Sequence, residues 1–168
     1  LWFAPNGASL FSFRNSEYTV HKNIDNLNQY VLRTITELQN GGICFGTETD
    51  GVFLLHKDSV YQLSTVNGLL SNSVYSLTQK NNGNIWAFHK RGITKFNPSL
   101  EVVGYLERGE LYDSELGKNS VYQDATGVVW VGTNKGIIRF DNDAVIDTVN
   151  PELVIESLKW NEQEINEI

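Results

Sequence analysis

An all-β fold is predicted by three observations. A phrase recurs at a nearly fixed spacing, each repeat holds about four short apolar segments, and no long amphipathic helical pattern occurs. The phrase is clearest at residues 127–141, GVVWVGTNKGIIRFD, and returns at 81–97 as NNGNIWAFHKRGITKFN. Gly83 stands three residues before Trp86, as Gly127 stands three before Trp130, and Arg91-Gly92 matches Lys135-Gly136. At 40–56, NGGICFGTETDGVFLLH repeats the pattern with Cys44 in the tryptophan slot and one extra loop residue. The opening LWFAPNGASLFSFRN puts Trp2 there again, so the anchors fall at 2, 44, 86 and 130, spaced by 42, 42 and 44 residues.

Within each unit the strands follow in order. VLRTITELQ, SVYSLTQK and SVYQD precede the anchors; GVFLLHK, GITKFNP and GIIRFDN follow the second glycine; SVYQLS, VVGYLE and AVIDTV close the units. Gly, Asn, Asp and Lys separate them, as turn chemistry requires. Four antiparallel strands in a unit of this length make one blade of a β-propeller. The GVVWVG strand is apolar at consecutive positions, as expected when both faces of a sheet are covered. The glycines flanking the anchor are expected at positive φ. The anchor tryptophan is a wedge between blades, so Cys44 in its place predicts local underpacking or a neighbour leaning in.

The chain therefore reads as a β-propeller fragment of about three and a half four-stranded blades. Residues 1–149 form the C-terminal part of the propeller, with a partial blade over 1–26 and blades over 27–66, 67–109 and 110–149. A ring of roughly four to eight blades needs more units than these, and uncovered blade edges would pair with the remainder of the propeller or with a second copy.

At these residues the sequence resembles the two-component regulator propeller repeat. GLLSNSVYSLTQKNNGNIWAFHKRGITKFN (68–97) carries the resemblance, with Trp130, Gly132, Thr133 and Gly136 in the next unit and Gly46, Thr47 and Gly51 in the one before. The segment 150–168, with PELVIESLKWNEQEI inside it, resembles the first strand of the three-Tyr β-sandwich that follows such propellers. The resemblance implies the periplasmic sensor region of a bacterial two-component receptor, often a hybrid histidine kinase, and a carbohydrate ligand. Phe88-His89 and Ala4-Pro5 depart from the Gly-Thr consensus, which favours a turn role for that pair over ligand contact.

Composition narrows the partners. A net charge of −7, with Lys and Arg scattered singly, argues against nucleic acid or an anionic membrane. No apolar run approaches the eighteen or so residues needed to span a bilayer. The single cysteine forms no internal disulfide. His21, His56 and His89 lack ligand spacing, and 141–152 puts Val145 and Ile146 where a calcium loop needs an oxygen ligand and a glycine, so no metal or cofactor is expected. LGKN at 116–119 lacks the rest of a phosphate loop.

Three functions remain. Binding is the leading one. In a propeller, the second-to-third-strand loops and the blade links share one face, here gathering His89, Lys90, Arg91, Asn134, Lys135, Glu48, Asp50 and Tyr112, with Asn28, Asn72 and Asn119. Amides, a few charges and an aromatic suit an oligosaccharide, whose hydroxyls each need a donor or acceptor. The alternative is a propeller for protein docking or dimerisation. The third is a carbohydrate-active enzyme using Glu107, Glu110, Asp113 and Glu115 of the acidic insertion as general acid and base. A solvated loop explains those carboxylates as well, and no catalytic residue is assigned.

Overall fold

The fold was analysed in a computed structural model of the chain, which describes residues 2–3, 10–21, 30–57, 59–90, 92–107, 115–140, 159–160 and 163–164. Every regular element among them is a strand except one short 3-10 turn. The first sheet holds β1 (Trp2–Phe3), β2 (Leu10–Arg14) and β3 (Glu17–His21). The second holds β4 (Leu32–Glu37), β5 (Ile43–Thr47), β6 (Val52–His56) and β7 (Ser59–Leu63). The third holds β8 (Ser76–Gln79), β9 (Ile85–His89), β10 (Gly92–Phe96) and β11 (Val102–Glu107). The fourth holds β12 (Leu116–Gln123), β13 (Val129–Thr133) and β14 (Gly136–Phe140). Each is an antiparallel meander in chain order, which is the blade topology the repeat predicts. A separate hairpin pairs β15 (Lys159–Trp160) with β16 (Gln163–Glu164). The closing segment AVIDTV and most of 150–168 lie outside the described residues.

The repeat sequence sets the hairpins. In three blades the turn before the anchor has one hydrogen-bond pattern: Leu38 N to Gly42 O, Lys80 N to Asn84 O, and Asp124 N to Val128 O, at 2.7–2.9 Å. The reverse bonds come from Gly41, Gly83 and Gly127, each with φ of 80–86°. A side chain at that φ is penalised, so the glycine three residues before each anchor is a backbone requirement.

Sheets stack face to face through three apolar clusters. Ile43, Phe45 and Phe53 of the second sheet meet Trp2 of the first. Cys44, Val52 and Leu54 meet Val74, Leu77, Ile85 and Ala87 of the third. Trp86, Phe88 and Ile93 meet Leu116, Val129, Val131 and Phe140 of the fourth. All five residues of β5 and of β9 are buried, as consecutive apolar positions predict. In β13 only one face is covered: Val129 and Val131 are buried, whereas Trp130 is 38% exposed. No described sheet packs on its side of the fourth blade.

The anchor slot explains its own partner. Trp86 pairs across the ladder with Lys95, whose Nζ lies 4.3 Å from the ring centroid, and Trp130 pairs with Arg139 at 5.7 Å. Both are cation–π contacts. Where the anchor is Cys44, the cross-strand residue is Leu54. Cys44 is fully buried and burial pushes its thiol pKa far up, so it behaves as a small apolar residue.

One boundary differs from the sequence reading. Residues 116–119, including Asn119, which is grouped with the loop face in the sequence reading, belong to β12, whose pairing with β13 shifts register between Leu116 and Val121. Asn119 sits in this irregularity with φ of 52°, and its N–H reaches Tyr75 O.

Candidate functional site

The hairpins β5–β6, β9–β10 and β13–β14 and the leads into β4, β8 and β12 meet on one face. Short backbone bonds knit them: Glu48 N to Val31 O, Val74 N to Thr47 O, Leu116 N to Lys90 O and Asn134 N to Glu115 O, at 2.9–3.1 Å. The hairpin threonines hold their own turns. Thr47 Oγ1 donates to Gly51 O and accepts from Asp50 N, while Thr133 Oγ1 donates to Gly136 O and accepts from Lys135 N. The Gly-Thr pair thus has the turn role its variation suggested. Gly46 is further constrained, because a Cβ there would lie 2.5 Å from Val74 Cγ1.

His89 fills the slot of Thr47 and Thr133, and it faces inward. It is 2% exposed; its Nδ1 lies 3.0 Å from Ser73 O and its Nε2 3.1 Å from Thr94 Oγ1. Thr94 Oγ1 also accepts from Leu70 N. His89 therefore ties the β7–β8 link to its blade, and both ring nitrogens are engaged there. Burial, opposed by the bond with Ser73, pushes its pKa from 6.5 down to about 4. Between those values the unfolded chain binds a proton that the folded imidazole refuses, so stability falls as pH falls from 6.5 to 4. The loss is about 3 kcal/mol by pH 4. Urea unfolding at pH 7 and pH 4 should show it, and His89→Gln should flatten the slope by about that amount.

Five other predicted residues stay on the open face in two groups. Lys90 Nζ lies 3.3 Å from Glu115 Oε2, and Glu115 N donates to Asn134 Oδ1 at 3.0 Å. This cluster bridges the third and fourth blades, and Lys135 follows Asn134 on the same turn. Glu48 is ion-paired with Arg33, and Asp50 accepts from Thr49 Oγ1. Asn72 is structural: its Oδ1 accepts from Thr65 N and its carbonyl from Gly51 N. Arg91, Tyr112 and Asn28 lie outside the described residues. Of the acidic insertion, Glu115 is in the Lys90 pair, while Glu110, Asp113 and the Glu107 side chain are not described. Among the described residues no group of His, Cys, Asp and Glu is arranged to hold a metal.

Sequence reasoning missed Arg33 and Thr94. Thr94 could have been found from the period, because a histidine in a threonine turn slot needs a new hydroxyl partner nearby.

No protein-family model matches the chain, and no curated protein matches it. Solved structures do. The extracellular domain of BT4673 from B. thetaiotaomicron, described as a one-component system, matches with a TM-score of 0.66 and 25% identity. The match covers 83% of this chain and 21% of that one. The extracellular domain of BT3049 from the same organism, described as a hybrid two-component system, matches with a TM-score of 0.70 and 24% identity. It covers 87% of this chain and 20% of that one. Virginiamycin B lyase from Staphylococcus aureus shares the fold at 0.56 and 16% identity, over 83% of this chain and 51% of the lyase. That likeness is one of fold alone. The chain spans about a fifth of the length of the two extracellular domains. Its stacked, tryptophan-anchored sheets have the propeller fold of those B. thetaiotaomicron sensor regions, as the repeat resemblance implied.

Proposed function

We propose that this chain is the extracytoplasmic, ligand-sensing part of a bacterial two-component receptor. It recognises an oligosaccharide on the loop face and relays binding to a downstream kinase or regulator module. The likeness to extracellular domains described as parts of one-component and hybrid two-component systems supports the sensing role and the periplasmic placement. No helix among the described residues is long and apolar enough to cross a membrane. The observation that carries the mechanism is the Lys90–Glu115–Asn134 cluster, because it spans two blades. An ammonium, a carboxylate and an amide offer hydroxyls both donors and acceptors. A ligand that preferred one spacing of the two blades would couple binding to blade packing, the differential affinity that a switch requires. No reaction is assigned to the chain.

Isothermal titration of the full chain with oligosaccharides of differing linkage tests this. One class should bind, and Lys90→Ala or Asn134→Ala should weaken it about tenfold, the equivalent of one good polar contact. Binding that is indifferent to both substitutions would remove the loop face from the account.

A second reading, docking, is favoured by the two outermost sheet faces. Tyr18 and Phe13 are exposed on the first sheet, and Tyr122 and Ile137 on the fourth. In that reading the remainder of the propeller or a second copy covers them.

A further inference from the structure

A cavity of about 400 Å³ opens between the second and third sheets, at the end of the blades opposite the loop face. Its wall includes Leu54, the cross-strand partner of the Cys44 anchor. Between the third and fourth sheets the corresponding space is filled by Trp86, with Lys80 and Lys95 over its ring at 5.2 and 4.3 Å. Between the second and third, Cys44 and Leu54 occupy those slots, and Leu54 forms part of the cavity wall.

The turn between β10 and β11 shapes the opening. Asn97 Oδ1 accepts from Ser99 N and Glu101 N, at 2.9 and 3.0 Å, which fixes the turn. Leu100 is thereby held at φ of 63°, a left-handed backbone that a bulky side chain rarely adopts, and it packs against the core beside the cavity. A strained residue of this kind persists only when its surroundings over-determine it, and such residues gather at ligand sites. Gly42 sits against three of the lining residues: a Cβ there would meet Asn40 Oδ1, Leu54 Cδ1 and His56 Nδ1 at 3.1–3.4 Å.

The lining is chemically mixed. Leu54, Leu100 and Pro98 are apolar, and Tyr61 presents a ring that is 54% exposed. Asn40 uses its Oδ1 on Gly42 N, which leaves its amide N–H groups unused by any described residue. The Tyr61 and Ser99 hydroxyls and the His56 imidazole add polar groups at the same cavity. No carboxylate, ammonium or guanidinium lies among the residues that line it.

We propose that this cavity binds a neutral polyhydroxylated ring, a single hexose unit or the terminal sugar of a chain. The C–H face of the ring stacks on Tyr61, and its hydroxyls pair with Asn40, Ser99 and His56. The volume is within the range of small-molecule sites. Among the described lining residues no side chain carries a fixed charge, which favours a neutral ligand, since little there would offset the desolvation of an ion. The proposal shares the carbohydrate class of the loop-face reading but not its location.

Saturation-transfer NMR on the full chain, with neutral methyl hexosides as probes and methyl glucuronide as the charged control, tests it. A neutral hexoside should bind and the glucuronide should not. Tyr61→Ala, on an exposed outer-strand position that leaves the fold intact, should weaken binding about tenfold. Gly42→Ala, which crowds Asn40, Leu54 and His56 of the lining, should weaken it by a similar factor. Binding lost in Lys90→Ala and retained in Tyr61→Ala would put the sugar on the loop face and overturn this proposal while sparing that reading. No binding of any neutral hexoside to folded protein would also overturn it, and the loop-face reading would still be decided by the oligosaccharides.

Discussion

Trp86→Ala is expected to destabilise the chain by about 3–5 kcal/mol, a large part of the stability of an ordinary domain. Trp86 is 3% exposed and meets Phe140 edge-on at 5.9 Å and Phe88 at 6.3 Å. Removing it empties the middle of the interface between the third and fourth blades. It also strips the ring face from Lys95 and from Lys80, whose buried ammonium donates to Gly127 O. Trp130 supplies the comparison, because it occupies the same slot of the repeat with its outer face uncovered. It donates from Nε1 to Asp124 Oδ2 at 3.0 Å, and Trp130→Ala should cost only about 1 kcal/mol. The two substitutions, compared by urea unfolding, separate the residue type from its coverage. Equal losses would contradict the wedge role given to the anchor.

Gly51→Ala is expected to cost about 3 kcal/mol, from two causes acting together. Gly51 has φ of 85°, and a Cβ would stand 2.3 Å from the Leu63 carbonyl oxygen, a backbone atom that cannot swing aside. The glycine is also the hub of its loop: its carbonyl accepts from Thr47 N and Thr47 Oγ1, and its N–H donates to Asn72 O. Any shift that relieves the clash therefore disturbs the hairpin and the blade link at once. Gly136 is the matched control. It has φ of 136° but open space around it, so Gly136→Ala should show backbone strain alone, about 1 kcal/mol. Thermal unfolding of the two variants side by side measures the difference.

The blades were legible because their turns are written in residues with few alternatives. A glycine three residues before the anchors at 44, 86 and 130 has one backbone reason to be there, and the period repeats that reason three times. The loop face was legible in outline for the same reason, since topology alone brings its hairpins together. What the period could not give was the direction of a side chain at a strand end. HKRG was read as an open loop, but β9 runs to His89 and turns the imidazole inward onto Ser73 and Thr94. The period makes His89 equivalent to Thr47 and Thr133, whose hydroxyls likewise turn in to hold their hairpins. Cys44 is the converse case. Underpacking or a neighbour leaning in was expected; Cys44 is fully buried in the apolar cluster, and a cavity walled by its cross-strand partner Leu54 and by Leu100 opens in the same interface. Its lining was out of reach, because Tyr61 and Ser99 come from different blades and meet only through a turn held by Asn97.

The central claim is that this propeller senses a sugar, and a thermal-shift screen of the full chain against a broad panel of oligosaccharides tests it most directly. Binding stabilises the native state by mass action, about 2.7 kcal/mol at a hundred times Kd. The account predicts a reproducible rise in Tm for one glycan class, dependent on concentration and absent for the others. A flat response across the panel, from protein that unfolds cooperatively, would contradict it and leave docking as the function.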